Sequence, residues 1–264
     1  MSLGLQVVAR SSLSDAVFEQ LAAQILARRV APGDSLPSER DLAKLLGVNR
    51  GAIREGLKRL AQAGLIEQRH GGGTLVLDFR RTGSLALLGQ LLFDGEGSPD
   101  LEVARAIMEM RAALAPDVAR LCAERADPSL VSLLAEVVAD MREVLHSDRE
   151  PSDTLEALQL LSLDFWDLLV TGSDNIAYRL AFNTLRQTYE QIREALIIPL
   201  ADELRELDEY ARVVAAIRVG DARLARSSAE AIVRRGTEGV LAGIELLGQL
   251  DRRAAQRHDE GELT

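Results

Sequence analysis

The chain has 264 residues and a formal net charge of −10, from 31 Lys+Arg against 41 Asp+Glu. That length supports two domains with cores of their own, and no apolar run reaches the ~20 residues that span a bilayer. A single cysteine, Cys122, excludes an internal disulfide and a thiolate zinc cluster, and is expected as a packed core thiol. The opening MSLGLQVVARSS lacks the charged-then-apolar layout of a secretory signal, so a cytoplasmic location is expected. The charge divides unevenly. Residues 1–80 hold 11 Lys+Arg against 8 Asp+Glu, and residues 81–264 hold 20 against 33. A net +3 followed by a net −13 suits a nucleic-acid-binding module joined to an acidic one.

Taken in order, residues 1–12 read as a loose arm. Val17, Leu21, Ile25 and Leu26 then recur at helical spacing between Ser14 and Arg29. The turn Ala31-Pro32-Gly33-Asp34 leads into a short helix that Ser38 can cap and Gly47 can close. Asn49 can cap the next helix, which carries Ile53, Leu57 and Leu60 on one face and Arg50, Arg54 and Lys58 on another. One side of such a helix suits a core, the other phosphates or guanine edges. Leu65-Ile66 and Thr74-Leu75-Val76 read as a hairpin turned at Gly71-Gly72-Gly73. The order predicts a winged helix-turn-helix that binds double-stranded operator DNA. Basic residues open the second helix, and His70-Gly71 sits at the tip of the wing, where minor-groove contact is expected.

The stretches PGDSLPSERDLA (32–43), GVNRGAIREGLKRL (47–60) and GLIEQRHGGGT (64–74) resemble the N-terminal domain of GntR-family bacterial transcription regulators, within them the FadR-like subfamily. The resemblance implies that Arg40, Asn49, Arg50, Arg54, His70 and Gly71 line the DNA interface. Gly51 and Ala52 have no side-chain hydrogen-bonding group, so base readout is expected to rest more on the arginines.

Leu85 to Phe93 reads as a short linker helix, and the breaker-rich 94–99 as a boundary. From Asp100 every segment has helical period, with helices expected near 100–125, 129–146, 153–171, 174–197, 202–218 and 221–248. The expected protein is mainly α. It has a winged helix-turn-helix over 1–80, a linker over 81–99, an all-α bundle of about six helices over 100–251, and a loose polar tail over 252–264.

Six of the nine aromatics, Phe165, Trp166, Tyr178, Phe182, Tyr189 and Tyr210, fall between 165 and 210. They read either as bundle core or as the lining of a ligand cavity. The helical half resembles the FadR-like effector domain, in which many relatives hold a metal with one aspartate and three histidines. Those positions fall here on Ser162, Trp166, Tyr210 and about Ile232, so no metal is expected. The run Asn175, Tyr178, Leu180, Asn183, Tyr189 and Ile192 instead matches the fatty-acid regulator branch, and Arg111 matches an arginine facing the ligand's anionic part. That resemblance implies an effector site of Arg111, Trp166, Tyr178, Phe182, Tyr189 and Tyr210 for a long-chain acyl-CoA or fatty-acid-like molecule. A small carboxylate such as a sugar acid, amino acid or dicarboxylate is the alternative, since Arg111 suits any carboxylate. Departures from the branch are Ala115, where an acidic residue is common, and Arg234 to Glu238, which align poorly. No catalytic motif is present, so the expected protein is a ligand-responsive regulator, not an enzyme, acting as a homodimer without cofactor or membrane.

Overall fold

The computed structural model describes residues 13–69, 73–93 and 99–262, excepting the side chains of 247, 248 and 250–262. It divides into two compact units, meeting in sequence at Asp100 and Leu101.

The first unit holds helices α1 (Leu13–Leu26), α2 (Glu39–Leu46) and α3 (Arg50–Gln62) and a three-stranded antiparallel sheet. The strands are β1 (Ser35–Leu36), β2 (Ile66–Arg69) and β3 (Gly73–Val76), in the order β1-β3-β2. Sequence periodicity predicts only the β2–β3 hairpin. Two residues are too few to show alternation, yet Ser35 pairs with Leu75 and Leu36 with Thr74. The core joins Val17, Leu21 and Ile25 of α1 to Ile53, Leu57 and Leu60 of α3 and to Leu65, Ile66 and Val76 of the wing. Gly56 permits this packing, because a Cβ there would meet Val17 Cγ1 at 2.5 Å.

After β3 come α4 (Phe79–Thr82), a 3-10 turn (Leu85–Leu87) and α5 (Leu88–Leu91). The expected linker helix is therefore broken, and Leu87 is buried in the core of this first unit. The Thr82 hydroxyl donates to the Gly64 carbonyl at 2.7 Å, tying α4 to the turn that enters the wing.

The second unit is all-helical, from α6 (Leu101–Arg125), α7 (Pro128–Leu145) and α8 (Pro151–Gly172) to α9 (Ile176–Ile192), α10 (Ala201–Leu204), α11 (Leu207–Arg218) and α12 (Ala222–Glu262). Asp127 caps α7 on the Ser129 and Leu130 N–H groups, and Asn175 caps α9 on those of Ala177 and Tyr178. Two differences from the expected layout stand out. The segment 202–218 is two helices, because the chain turns at Arg205 and Glu206. The last helix runs on to Glu262 through the stretch expected as a loose tail. Leu134, Met141, Leu158, Phe165, Leu169, Tyr210, Val213 and Ile232 form the core, all but inaccessible to solvent. α9 differs from its neighbours. Only Thr188 on it is buried, whereas α8 buries nine of its residues.

Candidate nucleic-acid interface and effector site

In the first unit, Ser38 caps α2 by accepting from the Asp41 N–H, and Gly47 ends it at φ 65°. α3 then starts at Arg50, with Asn49 Oδ1 accepting from the Ala52 N–H at 2.9 Å. Asn49 thus caps the helix as its position suggests, its acceptor oxygen engaged in starting α3. Gly51 protects that cap, since a Cβ there would lie 3.1 Å from Asn49 Oδ1.

Arg50, Arg54 and Lys58 lie on the exposed face of α3, and Arg40 is exposed on α2. Arg54 Nε donates to Glu39 Oε2 at 2.8 Å, and Arg40 is within 3.8 Å of Asp41. Both pairs are exposed, where such bonds are weak and readily exchanged for phosphate or base contacts. Arg59 has a different role. It pairs with Asp15 of α1, and its guanidinium carbon sits 4.6 Å from the Phe18 ring centroid, so it fastens α3 to α1. His70 and Gly71 lie outside the described residues.

In the second unit, four of the six residues expected at the effector site come together and two do not. Arg111 of α6 forms an ion pair with Glu203 of α10, a carboxylate only 1 % exposed. The Arg111 guanidinium stands 5.9 Å from the Trp166 ring centroid. Phe165 packs edge-on against both Trp166 and Tyr210, at 5.9 and 4.8 Å between centroids. The Tyr210 hydroxyl is 2.9 Å from Ser162 Oγ. Tyr189 is within electrostatic reach of Arg111 and Glu203.

Burial alone would weaken the charge on Arg111, but the Glu203 carboxylate overrides it and holds the guanidinium above its ordinary pKa. Burial, and then Glu203, push the Tyr189 phenol up to about 12 and raise Tyr210 as well, so both hydroxyls stay neutral. Trp166 Nε1 is near enough to Tyr210 to temper that rise, yet lacks hydrogen-bonding geometry. Arg111 Nη1, Trp166 Nε1, Glu203 Oε2 and Gln159 Oε1 are buried without a protein hydrogen-bond partner.

Tyr178 and Phe182 sit elsewhere. The Tyr178 hydroxyl donates to Asp117 Oδ2 at 2.9 Å, nearly two turns along α6 from Arg111. Asp117 also takes Arg120 at 2.7 Å and Arg226 at 3.5 Å, chiefly the Arg120 bonds holding its carboxyl below the usual range. The Phe182 ring lies under Arg179, 5.7 Å away. Both rings brace α9 against the bundle and do not line the Arg111 cluster. Asn175, part of the same sequence run, caps α9, and Leu180 is 61 % exposed.

Glu203 is the residue that sequence reasoning missed. Its one signal was Arg111 itself, an arginine on a largely apolar helix face without an acid four residues on, which demands a carboxylate from elsewhere. The positions that the resemblance gives to metal ligands hold the Ser162–Tyr210 hydrogen bond, the Trp166 ring and the fully buried Ile232. These side chains do not fit a metal, and among the described residues no three His, Cys, Asp or Glu side chains converge on one. No helix among them is long and apolar enough to cross a membrane. Cys122 is buried, its thiol pushed up to about 12.

A winged helix-turn-helix with an exposed arginine face, followed by a helical bundle around a buried polar cluster, defines the class of one-component transcription regulators. Comparison with known proteins makes it specific. Residues 13–76 match the family described as "Bacterial regulatory proteins, gntR family", and residues 106–235 match the FCD domain. The chain is 40% identical over 240 residues to the HTH-type transcriptional regulator Mce2R of Mycobacterium tuberculosis, covering 91% of this chain and 96% of that one. It is 32% identical over 175 residues to the fatty acid metabolism regulator protein of Cronobacter sakazakii, covering 66% and 68%. The solved structure of Lar, described as controlling the Listeria monocytogenes agr system, shares the fold at TM-score 0.52 and 16% identity, over 89% of this chain and 99% of that one. The protein belongs to the GntR family of DNA-binding transcriptional regulators, with an FCD effector domain.

Proposed function

We propose that this regulator binds a palindromic operator as a homodimer and releases it when a long-chain acyl-CoA or related fatty-acyl molecule enters the FCD domain. The observation that carries the reading is the cluster itself, in which the Trp166 and Tyr210 rings stand where metal-dependent relatives would need ligands, with the half-buried Arg111 beside them. The likeness to proteins named as fatty acid metabolism regulators supports the same choice. Each methylene buried against such rings is worth about 0.8 kcal/mol, so an acyl tail can offset the ordering cost of binding. α9, with its single buried residue, is the helix whose displacement would cost least. Arg40, Arg50 and Arg54 make the operator contacts, with His70 and Gly71 of the wing alongside.

The test is a DNA-shift titration with acyl-CoAs of increasing chain length. Operator affinity should fall progressively with length, and chelators should leave it unchanged. A response confined to short hydrophilic carboxylates would favour the second reading, in which Arg111, with one nitrogen unpartnered, holds a small carboxylate.

A further inference from the structure

The geometry points to Glu203 as the specificity-determining residue of the Arg111 cluster: by neutralising Arg111 it selects head groups with an uncharged carbonyl and turns away free carboxylates. This rests on the reading that the cluster of Arg111, Trp166 and Tyr210 is the effector site.

An arginine at a ligand site ordinarily invites an anion. Here the invitation is already taken, because the Glu203 side chain is 2 % exposed and paired with Arg111. Around the pair two donors stand unspent, Arg111 Nη1 and Trp166 Nε1, both buried N–H groups without an acceptor, while the one unspent oxygen of Glu203, Oε2, is turned against Gly236. Two donors carrying no net charge between them and Glu203 match a carbonyl oxygen, which offers two lone pairs and brings no charge. A carboxylate arriving at the same place would set a second negative charge beside Glu203, away from water, where like charges disfavour each other's ionised form. One of the two would have to leave or take up a proton.

Glu203 has little room to leave. Gly236 of α12 lies so close to it that a Cβ there would stand 1.8 Å from Glu203 Oε2 and 2.9 Å from its carboxyl carbon. α12 thus presents a bare backbone to one oxygen of the carboxylate while Arg111 holds the other. The Tyr189 and Tyr210 phenols, within electrostatic reach of Glu203 and kept neutral, add no charge.

Trp166 is the one tryptophan in the chain, so its emission reports on this cluster directly. The experiment titrates the full-length protein with decanoyl-CoA, methyl decanoate and decanoate, which share a tail and differ at the head. The wild type should bind both carbonyl probes at least about tenfold more tightly than decanoate, some 1.4 kcal/mol. Glu203→Gln keeps the shape and removes the charge, and should close that gap by gaining affinity for decanoate. Glu203→Asp keeps the charge and should keep the gap. The inference is overturned if wild type binds decanoate as well as the esters, or if Glu203→Gln leaves the preference intact. It is also overturned if methyl decanoate is as weak as decanoate, since the nucleotide and not the carbonyl would then make the difference. If no probe changes Trp166 emission in the wild type, the acyl reading of the cluster falls first and takes this inference with it.

Discussion

The two units put their chemistry in opposite places. In the first, the functional side chains stand outside a small core, and Arg40, Arg50 and Arg54 have only exposed carboxylates or solvent beside them. In the second, the polar groups are inside, where Arg111 pairs with Glu203 and Ser162 with Tyr210, drawing on four helices. A surface that meets a polyanion can hold its cations ready at little cost, because water solvates them until phosphate arrives. An interior site that meets a small molecule must bury charge before the ligand comes, and burying it demands an internal partner. The lesson is that an interior arginine cannot be assigned to a ligand until its own carboxylate has been found.

The largest effect should come from breaking that internal pair. Arg111→Ala leaves Glu203 charged, buried and without a counter-ion, at a cost of about 3 kcal/mol in the stability of the second unit. Arg111→Met with Glu203→Met should recover most of the loss, because neither charge is then stranded. Thermal melts of the wild type and both variants decide it. A cost for Arg111→Ala no greater than for the exposed Arg212→Ala would show that the pair does not organise the cluster.

The same contrast explains what the amino-acid order revealed. α2, the turn and α3 are local: Ser38, Gly47 and Asn49 act within four residues of their positions, so their spacing alone announces them. Glu203 and Arg111 are 92 residues apart, and nothing in the run ADELREL distinguishes the one acid that turns inward. Trp166 and Tyr210 were legible because aromatics are scarce in this chain and because both fall on positions where relatives hold metal ligands. Tyr178 lies apart from the Arg111 cluster for a geometric reason. It shares a helix face with Tyr189, but eleven residues of helix separate them by roughly 16 Å, so one reaches Asp117 and the other Arg111. Helical period fixes a face and says nothing about position along it.

On the DNA side the expected losses are smaller and selective. Arg50→Ala and Arg54→Ala should each weaken operator binding by about 1–3 kcal/mol while barely changing affinity for random DNA. Fluorescence anisotropy on both DNAs measures the difference. Equal losses on the two would make these arginines phosphate contacts, and the surface would then resemble a uniform basic patch.

A pH scan tests the remote brace of α9. The Arg120 and Tyr178 bonds hold the Asp117 carboxyl below its usual range, so they stabilise the fold at neutral pH. That contribution is present above the pKa of the unfolded carboxyl and is lost as pH falls through the depressed folded value. Asp117→Asn should therefore lower the melting temperature at neutral pH, with the gap to wild type shrinking as the solution is acidified through the carboxylate range. A gap independent of pH would show that the ionised carboxylate does not hold α9.

The smallest effect, at Asn49, separates two roles that its position allows. Its Oδ1 accepts the Ala52 N–H at 2.9 Å, and losing such a cap costs about 1 kcal/mol. Asn49→Ala should lower the melting point of the first unit by that amount. Serine also caps well, because its hydroxyl reaches the same N–H, but it lacks the amide that reads an adenine edge. If Asn49 serves only to start α3, Asn49→Ser keeps both the melting point and the operator affinity. If it keeps the melting point and loses operator affinity with random DNA unchanged, Asn49 reads a base through the amide nitrogen that the cap does not use. We expect the first result, because Gly51 leaves the cap uncrowded and the arginines of α3 stand nearer the exposed centre of its face. The measurement compares Asn49→Ala and Asn49→Ser on one operator and one random duplex, with a melt of each protein.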